Sequence, residues 1–391
     1  MNTELLQPEV QEFVAKNLKA DVSALVLKGS PFPKITAAEL ATQIAGRKTA
    51  ERKLPIWFDN QHIIYPPKLN LEQTSSQITA EYKASLVSGE NLVDLTGGFG
   101  IDSYFFSKNA KNVVYNEFNT DLAEIVQHNF KALKIDNIEV NSGDGLAFLE
   151  ATAVKFAWIY LDPARRDDHG GKVFRLADCT PNVVEILPLL FEKSDNILIK
   201  TSPLLDLKLG ISELDFVAEI HVVALENEVK ELLWILKKDS TSAVKIISKN
   251  FSKKEDQTFE TVLNESFETA FSLPENYLYE PNAAIMKTQL FGQLTKDFEV
   301  NKLHQNSHLF TSENNINFPG RKFKITDILN FGSKELKKKF KSKKANISVR
   351  NFPVDVENIR KKLKIKDGGK DYLFFTTNLK EEKIVLVCEK V

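Results

Sequence analysis

Val93-Asp94-Leu95-Thr96-Gly97-Gly98-Phe99-Gly100-Ile101-Asp102 joins an apolar run, an acid and a cluster of glycines. The apolar run reads as the end of a buried strand, and Ile101 as the start of a helix. Between them Asp94, Gly98 and Gly100 give the spacing D-x-x-x-G-x-G. Glycines in such a turn adopt positive φ and let a ligand come close to the backbone. The same alternation continues on either side. Apolar runs at 91–96, 112–117, 138–142, 156–162 and 196–201 read as strands, with helices over 101–108, 120–133, 146–150 and 180–191. Short strands that are apolar on both faces, with helices between them, predict a parallel sheet covered on both sides. Residues 216–226 and 229–237 read as two more strands. Only Asn227 and Glu228 separate them, so they must pair antiparallel. The expected catalytic fold is therefore an α/β sandwich on a seven-stranded Rossmann-like sheet, parallel except for a terminal antiparallel hairpin. That hairpin argues against an NAD-binding Rossmann domain.

Open α/β sheets bind ligands at the carboxyl ends of their strands, and three acids fall there. Asp94 ends the first strand, Glu117 ends the second, and Asp144 follows the third. The turn Asp94, Thr96, Gly97, Gly98, Gly100 could cradle a pyrophosphate at a helix N-terminus. It could equally pass under the methionine and ribose of S-adenosylmethionine (SAM). A carboxylate at Glu117 can accept both ribose hydroxyls. Asp144 can accept the exocyclic amine of adenine, or cap the helix after it, or both. The fourth strand runs into Asp162-Pro163-Ala164-Arg165-Arg166.

This last run resembles the class I methyltransferases, in which strand four often ends in (D/N)-P-P-(Y/F/W/R). The resemblance implies that Asp162, with Pro163 and Arg165, lines the methyl-acceptor side. Asp162 would accept a hydrogen bond from the target, and Arg165 or Arg166 would stack on a base or hold a phosphate. A lone pair must be offered to the methyl group in line, in a dry and fixed geometry. Ala164 replaces the second proline and Arg165 the aromatic, so a ring nitrogen stands open as a target beside an exocyclic amine. Uracil carbon-5 chemistry needs a cysteine after strand five. Here Lys200-Thr201-Ser202-Pro203 offers hydroxyls, which are poorer nucleophiles than a thiolate. Across the whole chain, SSQITAEYKASL from Ser75, DLTGGFGID, DPARR, NEVKELL, EPNAAIMK and a basic carboxy-terminal module resemble bacterial class I methyltransferases with a ferredoxin-like insert and a THUMP-like domain. The resemblance implies SAM as cofactor and RNA, either rRNA or tRNA, as partner.

Composition bounds the rest. With 42% hydrophobic and 27% charged residues, the chain is globular in character. The net charge of −1 hides an asymmetry. Residues 320–370 hold 17 Lys+Arg against 5 Asp+Glu, a net of +12, which leaves −13 elsewhere. Such a module points to a polyanion, since counterion release drives phosphate binding. Lys337, Lys338, Lys339 and Lys341 on an expected helix over 334–343, with Arg350, are the candidate phosphate contacts. The expected domains are an N-terminal helical region (1–74), a methyltransferase domain (75–250), a ferredoxin-like module (270–320) and a THUMP-like domain (321–391). Residues 7–27 and 37–50 have helical spacing, 54–70 read as irregular, and 282–294 read as one helix. Cys179 and Cys388 are isolated in sequence, which fits a reducing cytoplasm and no cysteine-based metal site. His304 and His308 lack a third ligand, so no metal is expected. No run is long enough to cross a membrane. Two other readings share parts of this pattern: a methyltransferase acting on protein or a small molecule, and a non-catalytic RNA-binding protein.

Overall fold

The first strand, β1 (Gly89–Asp94), pairs in parallel with β2 (Ala110–Glu117) on one side and β4 (Trp158–Leu161) on the other. β3 (Ile138–Ser142) continues in parallel beyond β2, and β5 (Asn196–Thr201) beyond β4. The computed structural model describes residues 1–165, 175–263 and 267–391; Arg166 lies outside them, and Arg165 is described by its backbone alone. Contacts divide the chain into two units: Met1–Ala218 with Leu233–Ser242, and Glu219–Leu232 with Ala243–Val391.

In the first unit, Leu233–Lys237 of β7 (Glu228–Lys237) lies beside β5, giving the order β7-β5-β4-β1-β2-β3. Val93, Ile159 and Leu198 are fully buried, as expected of strands covered on both faces. The N-terminal region is helical, with two departures from the expected pattern. Residues 7–27 form two helices, Pro8–Lys16 and Val22–Lys28, because Asp21 caps a new start by accepting from the backbone of Ser23. Residues 54–70 contain short helices, Pro55–Asp59 and part of Lys68–Gln73, where a proline sits at or just before the first turn. Helix Gln77–Ser85 is capped by Ser76, and helix Ile101–Phe106 follows the glycine turn.

The second unit contains the turn of the hairpin between β6 (Val217–Leu225) and β7. Glu226 and Asn227 both take positive φ, 50° and 65°, as a two-residue hairpin turn requires. Two strands not anticipated from the sequence follow. β8 (Val244–Phe251) runs parallel to β6, and β9 (Gln257–Leu263) runs antiparallel to β8. Next come β10 (Tyr277–Pro281), β11 (Asn301–Lys302), β12 (Phe310–Ser312), β13 (Gly320–Asn330), β14 (Asn346–Arg350), β15 (Asp371–Thr377) and β16 (Lys383–Lys390). They form a second sheet in the order β11-β12-β10-β13-β16-β15-β14. Period-two alternation sorts its side chains. Phe375, Val385 and Val387 face the helices Lys334–Phe340 and Val356–Leu363, with Leu336, Phe340, Ile359 and Leu363 in the shared core. Phe323, Phe374, Ile384 and Leu386 face the other way and pack with Leu303 and Leu309. The expected single helix over 282–294 is two helices, Ala283–Thr288 and Phe291–Asp297, because Gln289 turns left-handed (φ 57°). The basic helix ends at Phe340, and Ser342 has φ 64°.

Candidate active site

The loop between β1 and helix Ile101–Phe106 is held from below. The carboxylate of Asp94, 1% exposed, accepts from Ser103 Oγ at 2.6 Å and from the Thr96 backbone at 3.0 Å. Asn116 donates to the Asp94 carbonyl, and the Tyr115 hydroxyl donates to the Gly98 carbonyl at 2.7 Å. Two glycines are sterically required. A Cβ at Gly97 would lie 2.1 Å from the Tyr115 ring. Gly100 has φ 75°, and a Cβ there would lie 2.7 Å from Val126 and 2.8 Å from Phe130.

Above this loop lies a cavity of 740 Å³ at the carboxyl ends of the parallel strands. Its lining brings together Asp94, Thr96, Gly97, Gly98, Glu117, Asp144 and Asp162, all candidates from the sequence. Gly100 and Pro163 are buried outside the lining, and the side chain of Arg165 and the whole of Arg166 lie outside the description. Glu117 accepts from Gly98 N and Asn119 N, both at 2.8 Å, one on each oxygen. Asp144 caps helix Gly145–Ala151 by accepting from Leu146 N at 2.8 Å. Phe118, next to Glu117 in sequence, also lines the cavity and is 81% exposed, a large apolar face held open to solvent.

On the other side of β1, the Asp162 backbone N–H donates to Thr96 Oγ1, and its Oδ2 pairs with Lys200 on β5. Behind it sits Asp102, which the sequence reading did not single out. Its carboxylate accepts from Tyr160 OH at 2.8 Å and Ser75 Oγ at 2.9 Å, and lies 3.3 Å from the fully buried ammonium of Lys83. Burial opposes ionisation of Asp102. Lys83, Lys200 and the two hydroxyls outweigh it and hold its carboxyl below the usual range. Asp94 goes the other way. Burial, reinforced by the charges of Asp102 and Asp162 against the opposing hydrogen bonds of Ser103 and Thr96, pushes it up to about 7. Asp94, Asp102 and Asp162 thus line the cavity, and the ammonium groups of Lys83 and Lys200, outside the lining, face Asp102 and Asp162.

The sequence offered a partial signal for these groups. Lys200 stood in Lys200-Thr201-Ser202-Pro203, read only for its lack of a thiol. Lys83 and Asp102 lie on different helices, and nothing in their local pattern pairs them. Phe118 directly follows Glu117, so its place was readable from the strand end. Cys179 and Cys388 are both buried.

In the second unit, Lys337, Lys338 and Lys341 are exposed, and Lys339 pairs with Asp327 at 2.6 Å. Arg350 does not join them. Ile347 and Val349 pack towards the helices, which places Arg350 on the opposite face of the sheet, where it binds Glu280. Among the described residues, no helix is long and apolar enough to cross a membrane, and no group of three His, Cys, Asp or Glu is placed to hold a metal.

Residues 277–319 match a family model described as a ferredoxin-like domain, and residues 320–390 match one described as THUMP domain-like. No curated protein sequence matches. A crystal structure of a candidate methyltransferase from Porphyromonas gingivalis W83 superposes with a TM-score of 0.87 at 30% identity, covering 100% of this chain and 99% of that one. An rRNA methylase from Streptococcus thermophilus shares 13% identity over 41% of this chain and 94% of its own, with a TM-score of 0.30. The tRNA m1G37 methyltransferase of M. jannaschii shares 17% over 43% and 51%, with a TM-score of 0.31. Neither of these two overlaps bears on the substrate. The fold is that of a class I methyltransferase. The chain belongs to the family of such enzymes that carry a ferredoxin-like and a THUMP-like domain at the carboxy terminus.

Proposed function

We propose that this protein transfers a methyl group from SAM to a nitrogen of a base in rRNA or tRNA. The observation that carries the reading is the single cavity in which Glu117, Phe118 and Asp144 flank β1 on one side and Asp162 on the other. The lining fits SAM. A carboxylate has about four acceptor positions. Glu117 uses two on backbone amides, which leaves two for ribose hydroxyls. Asp144 caps its helix through Oδ1, and Oδ2 remains for the adenine amine. The exposed ring of Phe118 supplies a flat apolar wall, whose burial under a purine would be favourable. When bound, SAM supplies an electrophilic methyl group. The protein's part is to orient the acceptor and keep water out. Lys200 holds Asp162 through Oδ2, so Oδ1 can accept the N–H of the target and aim its lone pair. The exposed lysines of helix Lys334–Phe340 and the THUMP-like match support an RNA partner. Calorimetric titration with SAM tests the cofactor half. Wild type should bind, and Glu117→Gln, which loses acceptor strength toward the ribose, should bind about 10–100-fold more weakly for the ~1.5–3 kcal/mol of hydrogen bonding to a charged group. Equal affinity in the two proteins would remove Glu117 from the site.

A further inference from the structure

Arg321 and Arg350 share one carboxylate. Arg350 donates through Nε to Glu280 Oε1 at 2.8 Å and places Nη2 at 2.6 Å from the same oxygen, while Arg321 takes Oε2. The Glu280 side chain is 11% exposed, and those of Arg321 and Arg350 are 41% and 42% exposed. Each guanidinium carries five N–H donors, so both keep donors facing solvent after these contacts. The register sets one of these pairs. Glu280 stands opposite Arg321 across β10 and β13, and Arg350 opposite Thr376 across β14 and β15. Thr376 is fully buried, and its hydroxyl has no hydrogen-bond partner among the described residues.

A further cation of this unit lies on the other face of the sheet, since Lys302 pairs with Phe310 and Phe310 with Tyr279, the residue before Glu280 in β10. Lys302, 3% exposed, donates to the Gln305 carbonyl at 2.7 Å and lies 4.2 Å from the centre of the Phe291 ring. No carboxylate pairs with it among the described residues, and burial lowers its pKa to about 8. His308 stacks on the same ring, with centroids 4.9 Å apart, and its Nδ1 is buried without a partner among the described residues. Its pKa is lowered by burial first, then by the charges of Lys302 and Arg350. Two guanidinium groups thus share the Glu280 carboxylate, one on each oxygen, and Lys302 is not among its partners.

We propose that Arg321 and Arg350, held by Glu280, form a binding site for a phosphoryl group of the RNA; the proposal rests on the RNA reading above. Guanidinium forks match phosphate oxygens bidentately, and a shared carboxylate fixes two forks in advance. The site lies on the face of the second sheet opposite the lysine-rich helix, so it is a separate contact. The excess of one positive charge suits an internal phosphodiester, and a terminal phosphate offers the same kind of oxygens.

The test uses the full chain and fluorescent 12-nucleotide RNAs, with either a 5′-phosphate or a 5′-hydroxyl, in salt titrations. Inorganic phosphate serves as competitor. Arg321→Gln with Arg350→Gln should weaken binding at least tenfold and reduce the salt slope by about two. Glu280→Gln keeps both arginines and removes the competing anion. It should tighten binding several-fold, which a purely structural ion triad would not do, and it decides the matter if the double variant does not fold. Preference for the 5′-phosphate would assign the terminal group, and equal binding an internal phosphodiester; both support the site. A folded double variant with unchanged affinity and slope, or Glu280→Gln without effect, would overturn it while leaving methyl transfer to RNA intact. Wild-type protein that is stabilised by inorganic phosphate but binds neither RNA would overturn the RNA assignment instead.

Discussion

Replacing Lys83 by methionine removes the ammonium from a fully buried ion pair and keeps most of the packing volume. Lys83 is 0% exposed, with Nζ at 3.3 Å from Asp102 and 3.0 Å from Ser75 Oγ. Breaking a buried pair by deleting one partner costs about 3–5 kcal/mol, because the other charge is left in low dielectric. Asp102 would keep Lys200 nearby and the hydroxyls of Tyr160 and Ser75. The lower end, about 3 kcal/mol, is therefore expected. Neutralising the stranded acid as well, with Asp102→Asn, should restore roughly half of the loss, a coupling in a double-mutant cycle of about 1.5 kcal/mol plus whatever Asp102→Asn costs alone. The chain's three tryptophans, Trp57, Trp158 and Trp234, all lie in the first unit, so their fluorescence in urea follows the relevant unfolding. A Lys83→Met variant within about 0.5 kcal/mol of wild type, the range of an ordinary surface change, would refute the reasoning. So would strict additivity of the two substitutions.

Other consequences concern neighbouring groups. Burial raises the Asp94 carboxyl to about 7, whereas in the unfolded chain it titrates near its ordinary value. Between roughly pH 4 and 7 the unfolded chain has lost this proton and the folded chain has kept it, so stability falls as pH rises through that window, by up to roughly 4 kcal/mol from this group. Asp94→Asn should flatten that slope relative to wild type in urea midpoints; parallel pH profiles would contradict the assignment. Gly100→Ala should cost about 1–3 kcal/mol, because φ is 75° and the new methyl group would meet Val126 and Phe130. A melting temperature equal to wild type would disprove that strain. Lys200→Met should lower kcat for methyl transfer and leave SAM affinity unchanged, with partial rescue by Lys200→Arg, since Lys200 acts through Asp162. Equal loss in both variants would assign Lys200 a purely structural part.

The parallel sheet was legible because its strands are apolar on both faces and each carries its polar residues at the carboxyl end. Asp94, Glu117 and Asp144 could be found from that rule alone. The network beneath them was not, because Lys83, Asp102 and Tyr160 meet only through the packing of helix Gln77–Ser85 on helix Ile101–Phe106 and β4. Arg350 was grouped with the basic helix by nearness in sequence, yet strand alternation, which was available at Ile347 and Val349, sends it to the other face. The helix over 282–294 fails at Gln289, whose left-handed turn carries no glycine to announce it. Strands β8 and β9 alternate only loosely and lie among charged residues, so their pairing, rather than their composition, defines them.

Transfer of labelled methyl from SAM into total RNA and total protein fractions, with Asp162→Ala beside the wild type, tests the central claim most directly. Label is expected in RNA with wild-type protein, and its loss in the variant with SAM binding retained, since Asp162 is proposed to hold the acceptor. Label confined to protein, or label in RNA undiminished by Asp162→Ala, would contradict it.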